Sequence, residues 1–313
     1  MKSLFATVVL AAGLLGPAIE MRAAGQEPAS KPSNNTGGAA FPEANEVLQG
    51  RTFATKGERD VFFLRGVRER FPASWSALIE ANITVRDYVQ APEKLLRFIE
   101  ELGTATAGTS DLIASTNLAA IVSDPAFYAN TNAYRPEIQQ AAALTLIRIG
   151  PNGIQALARS FSEEHYRADP ASLEDLAEAV GNAGTPDVPV VGALGAAVFT
   201  FSTTNGGCYP QCTERITRSL LRLPGGPAAV VAHLTTNEIF GDPGRFQAVV
   251  DGIAAGQAAG LATNLTAIQR EVAAKLAIPG FPAGPYRDDL QDLHGRIQRA
   301  IAQLQKAGEK AGR

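Results

Sequence analysis

Residues 136–162 read PEIQQAAALTLIRIGPNGIQALARSFS, and their spacing decides the class of fold. Ile138, Ala142, Ala143, Leu144 and Ile147 give the first half an apolar stripe at helical spacing, and Ile154, Leu157, Ala158 and Phe161 give the second half another. Between them stands Gly150-Pro151-Asn152-Gly153. Proline cannot continue the helix before it, but it suits the first turn of the helix after it. The reading is two amphipathic helices joined at a corner. Neither buries its stripe alone, so the pair requires neighbours.

Those neighbours recur at regular distances. Leu221-Arg222-Leu223, the corner Pro224-Gly225-Gly226-Pro227 and the run from Ala228 to Leu234 repeat the pattern, and Leu221 lies 74 positions after Ile147. That distance suits two units of about 37 residues, and an intermediate copy lies between them: residues 173–180, a break over 181–186, then an apolar run over 188–201. A fourth runs 246–253, a glycine-rich break and 265–276. Second helices are therefore expected to start near Pro151, Pro186, Gly225 and Asn264, and the same period extended backwards reaches Asp111 and Pro72. Paired helices around Gly/Pro corners at such a period are the mark of an α-solenoid.

The run Ala141-Ala142-Ala143-Leu144, the corner Ile149-Gly150-Pro151 and the segment from Ile154 to Leu157 resemble the HEAT-repeat pattern. The resemblance is best over residues 136–276. It implies an all-α solenoid of helix pairs and a tendency to bind other proteins, and it implies no activity. The run over 188–201 departs from it by being apolar almost all round, which predicts a helix covered on every side. Residues 202–211 read as an inserted loop.

The ends read differently. Lys2 followed by the apolar run from Leu4 to Leu15, with small residues at Ala23-Ala24-Gly25, has the order of a secretory signal peptide and is too short to span a membrane permanently. The expected division is a signal peptide over 1–25, a linker rich in Pro, Ser, Asn and Gly over 26–45, an N-terminal helical region over 46–135, HEAT-like repeats over 136–278, and a C-terminal helix over 279–313. The N-terminal region holds helical stretches at 58–69, 73–80, 93–102 and 111–122. Leu290, Leu293, Ile297, Ile301 and Leu304 form the seam of the last helix, which suits a cap over the final exposed edge. Asn34-Asn35-Thr36 is a formal glycosylation sequon. Export to a periplasm or the extracellular space follows from the leader, with no membrane span after its removal.

Two cysteines occur, Cys208 and Cys212. In an exported chain they read as a local disulfide closing a short loop. A redox-active pair is a second reading, because Cys212 stands near a helix start, where a thiol is acidified. A soft-metal site is a third.

The inventory for catalysis is thin. His165, His233 and His294 fall in three different segments, and no zinc-protease, haem, nucleophile-elbow or phosphate-loop motif is present. Glu164-His165 beside Asp169 reads as a solvated helix end in preference to a metal site, and His233, among apolar neighbours, reads as a core or groove histidine. Arg215, Arg218 and Arg222 share one helix face, which makes them a candidate basic stripe for an acidic partner, set against the plainer reading of a solvated face. An isoelectric point near 5.7 argues against nucleic acid. The function expected is a non-catalytic scaffold, without cofactor or resident metal, that binds a protein or peptide on its concave face, with Arg215, Arg218, Arg222 and His233 as candidate contacts. A redox- or metal-handling envelope protein using Cys208 and Cys212 is the alternative.

Overall fold

The computed structural model describes residues 43–128, 136–184, 188–201 and 210–311, and every regular element among them is a helix. The leader, the sequon, most of the linker, Cys208 and nearly all of the inserted loop lie outside the described residues. In chain order, α1 (Glu43–Leu48) starts within the stretch read as linker and packs on α2 (Lys56–Arg70). Next come α3 (Pro72–Asn82), α4 (Val85–Gln90), α5 (Pro92–Thr106), α6 (Leu112–Ser123) and α7 (Pro125–Tyr128). The stretch 136–162 forms α8 (Pro136–Ile149) and α9 (Pro151–Ser160), followed by α10 (Glu163–Ala168), α11 (Pro170–Ala183) and α12 (Val188–Phe199). The chain continues through α13 (Pro210–Arg222), α14 (Gly226–His233), α15 (Thr236–Gly241), α16 (Pro243–Ala255), a 3-10 turn (Ala259–Leu261), α17 (Ala262–Leu276) and α18 (Pro285–Ala311).

The corners are built from steric necessity. Gly150 sits at φ +101° and Gly225 at φ +83°, backbone conformations that side chains resist. A Cβ on Gly153 would collide with the carbonyl of Leu146, and one on Gly226 with that of Leu220. In both corners the incoming helix therefore rests its first turn directly on the last turn of the outgoing one. Asp111, where the extended period pointed, caps α6 by accepting from the Ala114 amide at 2.8 Å, and its other oxygen accepts from the Trp75 indole at 3.0 Å. One side chain thus starts a helix and pins a buried tryptophan of α3.

The long helices contact one another in sequence. α2 packs on α5, α5 on α8, α8 on α11, α11 on α13, α13 on α16, and α16 on α18. A second series runs alongside: α3 on α6, α6 on α9, α9 on α12, and α12 on α14. Between the two series lie the fully buried side chains, among them Ile79, Leu102, Leu118, Leu146, Leu157, Leu194 and Ile216. α18 buries Leu290, Leu293, Ile297 and Leu304 and packs against α16 and α17, as its seam predicts. α12 corrects the sequence reading. Pro189 and Gly192 are exposed and Ala193 and Ala196 half-buried, so the helix has a free face made of small residues in place of polar ones.

Candidate interaction surface

The arginine stripe of α13 faces α11, its neighbour in the same chain. Arg215 reaches Glu174 at 2.8 Å, Asp175 at 3.0 Å and Glu178 at 2.6 Å. Arg218 lies 3.7 Å from Glu178, and Arg222 donates to the Asn182 side chain. Burial alone would make Arg215 easier to deprotonate, but its hydrogen bond to Glu178, the charge of Glu174 and the hydrogen bonds to Asp175 and Glu174 outweigh that and hold it more firmly protonated than a free arginine. The hydrogen bond from Arg215 holds Glu178 below the usual carboxylate range, while burial pushes Glu174 above it against the pull of Arg215. A partner contacting Arg215 would first have to break these bonds. The stripe is real as a face; Arg215 and Arg218 are paired within the chain, while Arg222 is exposed and bonded to the neutral Asn182 side chain.

His165 also departs from its expected setting. His165 is buried, not a solvated helix end: Nδ1 lies 2.9 Å from the Ser160 carbonyl oxygen and Nε2 3.3 Å from Ser172 Oγ. Gln139 of α8 completes the cluster, with Nε2 and Oε1 at 2.8 and 3.0 Å from the same hydroxyl. Ser172, with His165 and Asp169 close by, has the residue types of a nucleophile set. It is fully buried and tied to Gln139, so no substrate reaches it. His233 ends α14 half-buried at the surface, stacked on Phe199 at 4.3 Å between ring centres, with Nδ1 3.0 Å from Glu238. Cys212 is buried in the first turn of α13, its Sγ 3.8 Å from the Pro170 carbonyl oxygen. No group of three or more His, Cys, Asp or Glu among the described residues is placed to hold a metal ion, and no described helix is long and apolar enough to cross a membrane.

A shorter motif escaped the sequence reading. TVRDYVQAP (84–92), SEEHYRADP (162–170) and TTNEIFGDP (235–243) share one plan at spacings of 78 and 73 residues, about two helix pairs each. In each copy a Ser or Thr caps the short helix: Thr84 accepts from the Asp87 amide at 3.0 Å, Ser162 from His165 at 3.1 Å, and Thr235 from Glu238 at 3.4 Å. The following residue, Tyr88, Tyr166 or Ile239, is buried as an anchor, and proline then opens the next long helix. Asp169 and Asp242 cap those helices by accepting from Ser172 and Arg245, whereas Ala91 has no such side chain. The repeated Ser/Thr-to-proline spacing was legible without coordinates.

The second series shows a different surface. Across α3, α6, α9, α12 and α14 only Glu80 and Arg159 carry a formal charge. Both are exposed; the other exposed positions are small or uncharged, among them Ala77, Thr116, Gln155, Gly192 and Val231, with Leu112 standing 67% exposed. Elsewhere, a depression of about 550 Å³ lies between the ends of α16 and α18 over Leu304, rimmed by Gln257, Gln303, Lys306 and Lys310. That rim contains no carboxylate or imidazole to serve as a general base. No family model, no curated protein and no solved structure matches this chain.

Proposed function

We propose that this chain is an exported α-solenoid of HEAT-like helix pairs, closed at its end by α18, and that it works as a non-catalytic scaffold for a protein or peptide. The carrying observation is the near-absence of charge along the outer positions of α3, α6, α9, α12 and α14. Covering a charged face strips ions of water at a cost, and interface cores are accordingly poor in charged residues. A face of alanine, glycine, threonine and proline lets another backbone come close. It offers no exposed Trp or Tyr, so any anchoring aromatic side chains belong to the partner, while Leu112 and Val231 are the exposed aliphatics on this side. The four candidate contacts taken from the sequence, Arg215, Arg218, Arg222 and His233, give way to this row in the proposal.

Site-specific photo-crosslinking in the envelope fraction tests the reading. A crosslinker at Gln155 on α9 is expected to capture a discrete partner that excess unlabelled chain competes away, whereas one at Lys94 on α5 captures none. Equal capture at both positions, or none at Gln155, overturns it. Within the same proposal Cys208 and Cys212 form a structural disulfide. The burial of Cys212 supports that role over an exchangeable pair, which needs an accessible thiolate. Thiol titration of the unfolded, unreduced protein is expected to find no free thiol, and two free thiols would remove the disulfide.

A further inference from the structure

Of the three copies of the capped short helix, the middle one differs at a single chemically decisive position. The residue after the Ser/Thr-x-x step is Asp87 in the first copy, partly buried beside Lys94, and Glu238 in the third, exposed beside His233. In the second copy it is His165, and its ring turns inward. The Ser160 carbonyl only accepts, so the neutral ring carries its proton on Nδ1 and presents Nε2 as an acceptor. Ser172 Oγ lies within reach of Nε2 and receives the Gln139 amide on its other side. Four elements meet at this cluster: α8 through Gln139, the end of α9 through Ser160, α10 through His165, and α11 through Ser172.

A proton on Nε2 changes both the wiring and the charge. The new N–H competes with the Gln139 amide for the Ser172 oxygen, and the serine hydroxyl must swing to Gln139 Oε1. The cation would be enclosed at a site 2% exposed. Among the described residues, the groups of α8, α9 and α11 bonded into the cluster are Gln139, Ser160 and Ser172, none of which titrates. Asp169, just after α10, is a carboxylate whose charge favours a proton on the ring, and it already accepts from the Ser172 amide. Burial therefore prevails over Asp169 and the Ser160 bond, and it holds the imidazole below its ordinary range.

We propose that the His165–Ser172–Gln139 cluster is an acid-released latch: with a neutral imidazole it fastens α10 and α11 to α8 and α9, and uptake of a proton loosens that joint. The sign follows from linkage. A histidine that binds its proton less readily folded than unfolded contributes stability that is complete above the unfolded value near 6.5 and is lost as pH falls below it, until the folded value is passed. The joint lies midway along both helix series, so its release changes how the halves on either side of it are held. The latch does not depend on the scaffold reading.

Hydrogen exchange of the full chain at pH 7.5 and 5.5, corrected for intrinsic rates, tests it in the wild type and in His165→Gln. In the wild type the opening constant for amides of α10 and the first turn of α11 is expected to rise by up to about tenfold at the lower pH, while amides of α5 stay constant. In His165→Gln the α10 amides are expected to change less than twofold. A rise of equal size in both proteins overturns the latch. Should the variant fail to fold, proton NMR titration of the wild-type ring decides: an apparent pKa clearly below 6.5 supports the latch, and one at or above 6.5 sinks it.

Discussion

The two helix series differ most in where their charges go. α2, α5, α8, α11 and α13 carry 22 Lys, Arg, Asp and Glu residues, and α3, α6, α9, α12 and α14 carry two. Much of the first set is committed to neighbours in the chain. Arg65 and Arg68 of α2 donate to the carbonyls of Thr104 and Ala105 at the end of α5, and Arg215 of α13 gathers three acids of α11. Such bonds cross from one long helix to the next and fix the lateral register. The second series has few such bonds, the Trp75 indole on Asp111 among them, and packs mainly through apolar side chains such as Ile79, Leu118 and Leu157, so its outer face stays nearly neutral. One series spends polarity on holding the molecule together; the other keeps a surface that loses little on being covered.

Breaking the corner that seats one series on the other produces the largest loss. Gly226→Val places a branched side chain against the Leu220 carbonyl, where even a Cβ does not fit. The start of α14 must then lift from α13. Urea unfolding is expected to show a loss of about 3 kcal/mol or more. A loss under about 1 kcal/mol would mean that the corner yields freely. Ala228→Val, exposed two residues further on, is the matched control and is expected to be nearly neutral.

Removing charge from the first series comes next. Arg215→Ala leaves Glu174, 13% exposed at its side chain, without its ion pair and beside the carboxylates of Asp175 and Glu178. The expected cost is about 2 kcal/mol, reduced for solvent screening because the arginine itself is a third exposed. Adding Glu174→Gln to Arg215→Ala is expected to restore part of the loss, since a neutral amide no longer repels its neighbours. If the double variant is no better than the single one, the cluster matters through packing of the arginine stem alone.

How much of this was legible follows from what leaves a trace in local spacing. Corner glycines and prolines, apolar stripes and the seam of α18 are local, so the starts of α9 and α14 were read closely from their corners and those of α3 and α6 from the period. The identity of the partner across a helix face is not local. Arg215, Arg218 and Arg222 were correctly placed on one face, but the acids opposite them lie about 40 residues away, and only packing α13 on α11 joins them. His165 was misread for a related reason. Glu163 and Glu164 beside it suggested solvent, yet the ring enters the core because Ser160, Gln139 and Ser172 offer it partners there. The free face of α12 was missed because glycine and alanine were counted as core residues, when at Gly192 and Ala196 their small size makes an outer surface.

Installing a missing polar group in the first series yields a gain. Ala91 precedes α5 with φ −140° and ψ 54°, close to Asp242 before α16 at −146° and 77°, but it has no side chain to cap the helix. Ala91→Asp is expected to stabilise the protein by about 0.5–1 kcal/mol by accepting from the Lys94 amide, as Asp242 accepts from Arg245. Thermal unfolding reads the gain. Its absence would mean that Asp87, one turn earlier, repels the new carboxylate as strongly as the cap binds.

Adding charge to the second series should hardly touch the fold, and that contrast sharpens the comparison most. Gly192 on α12 is exposed, and no atom beyond its own helix stands within 4 Å of where a Cβ would be. Gly192→Lys puts a side chain into open solvent and replaces a poor helix former with a good one. Stability is expected to change by less than about 0.5 kcal/mol, with any shift favourable. The same lysine would have to be desolvated by anything lying across the row, so the partner captured at Gln155 in the crosslinking experiment is expected to be lost. A variant that unfolds like wild type yet no longer captures the partner locates binding on the neutral series. A variant that keeps the partner moves binding off that face, whatever its charge.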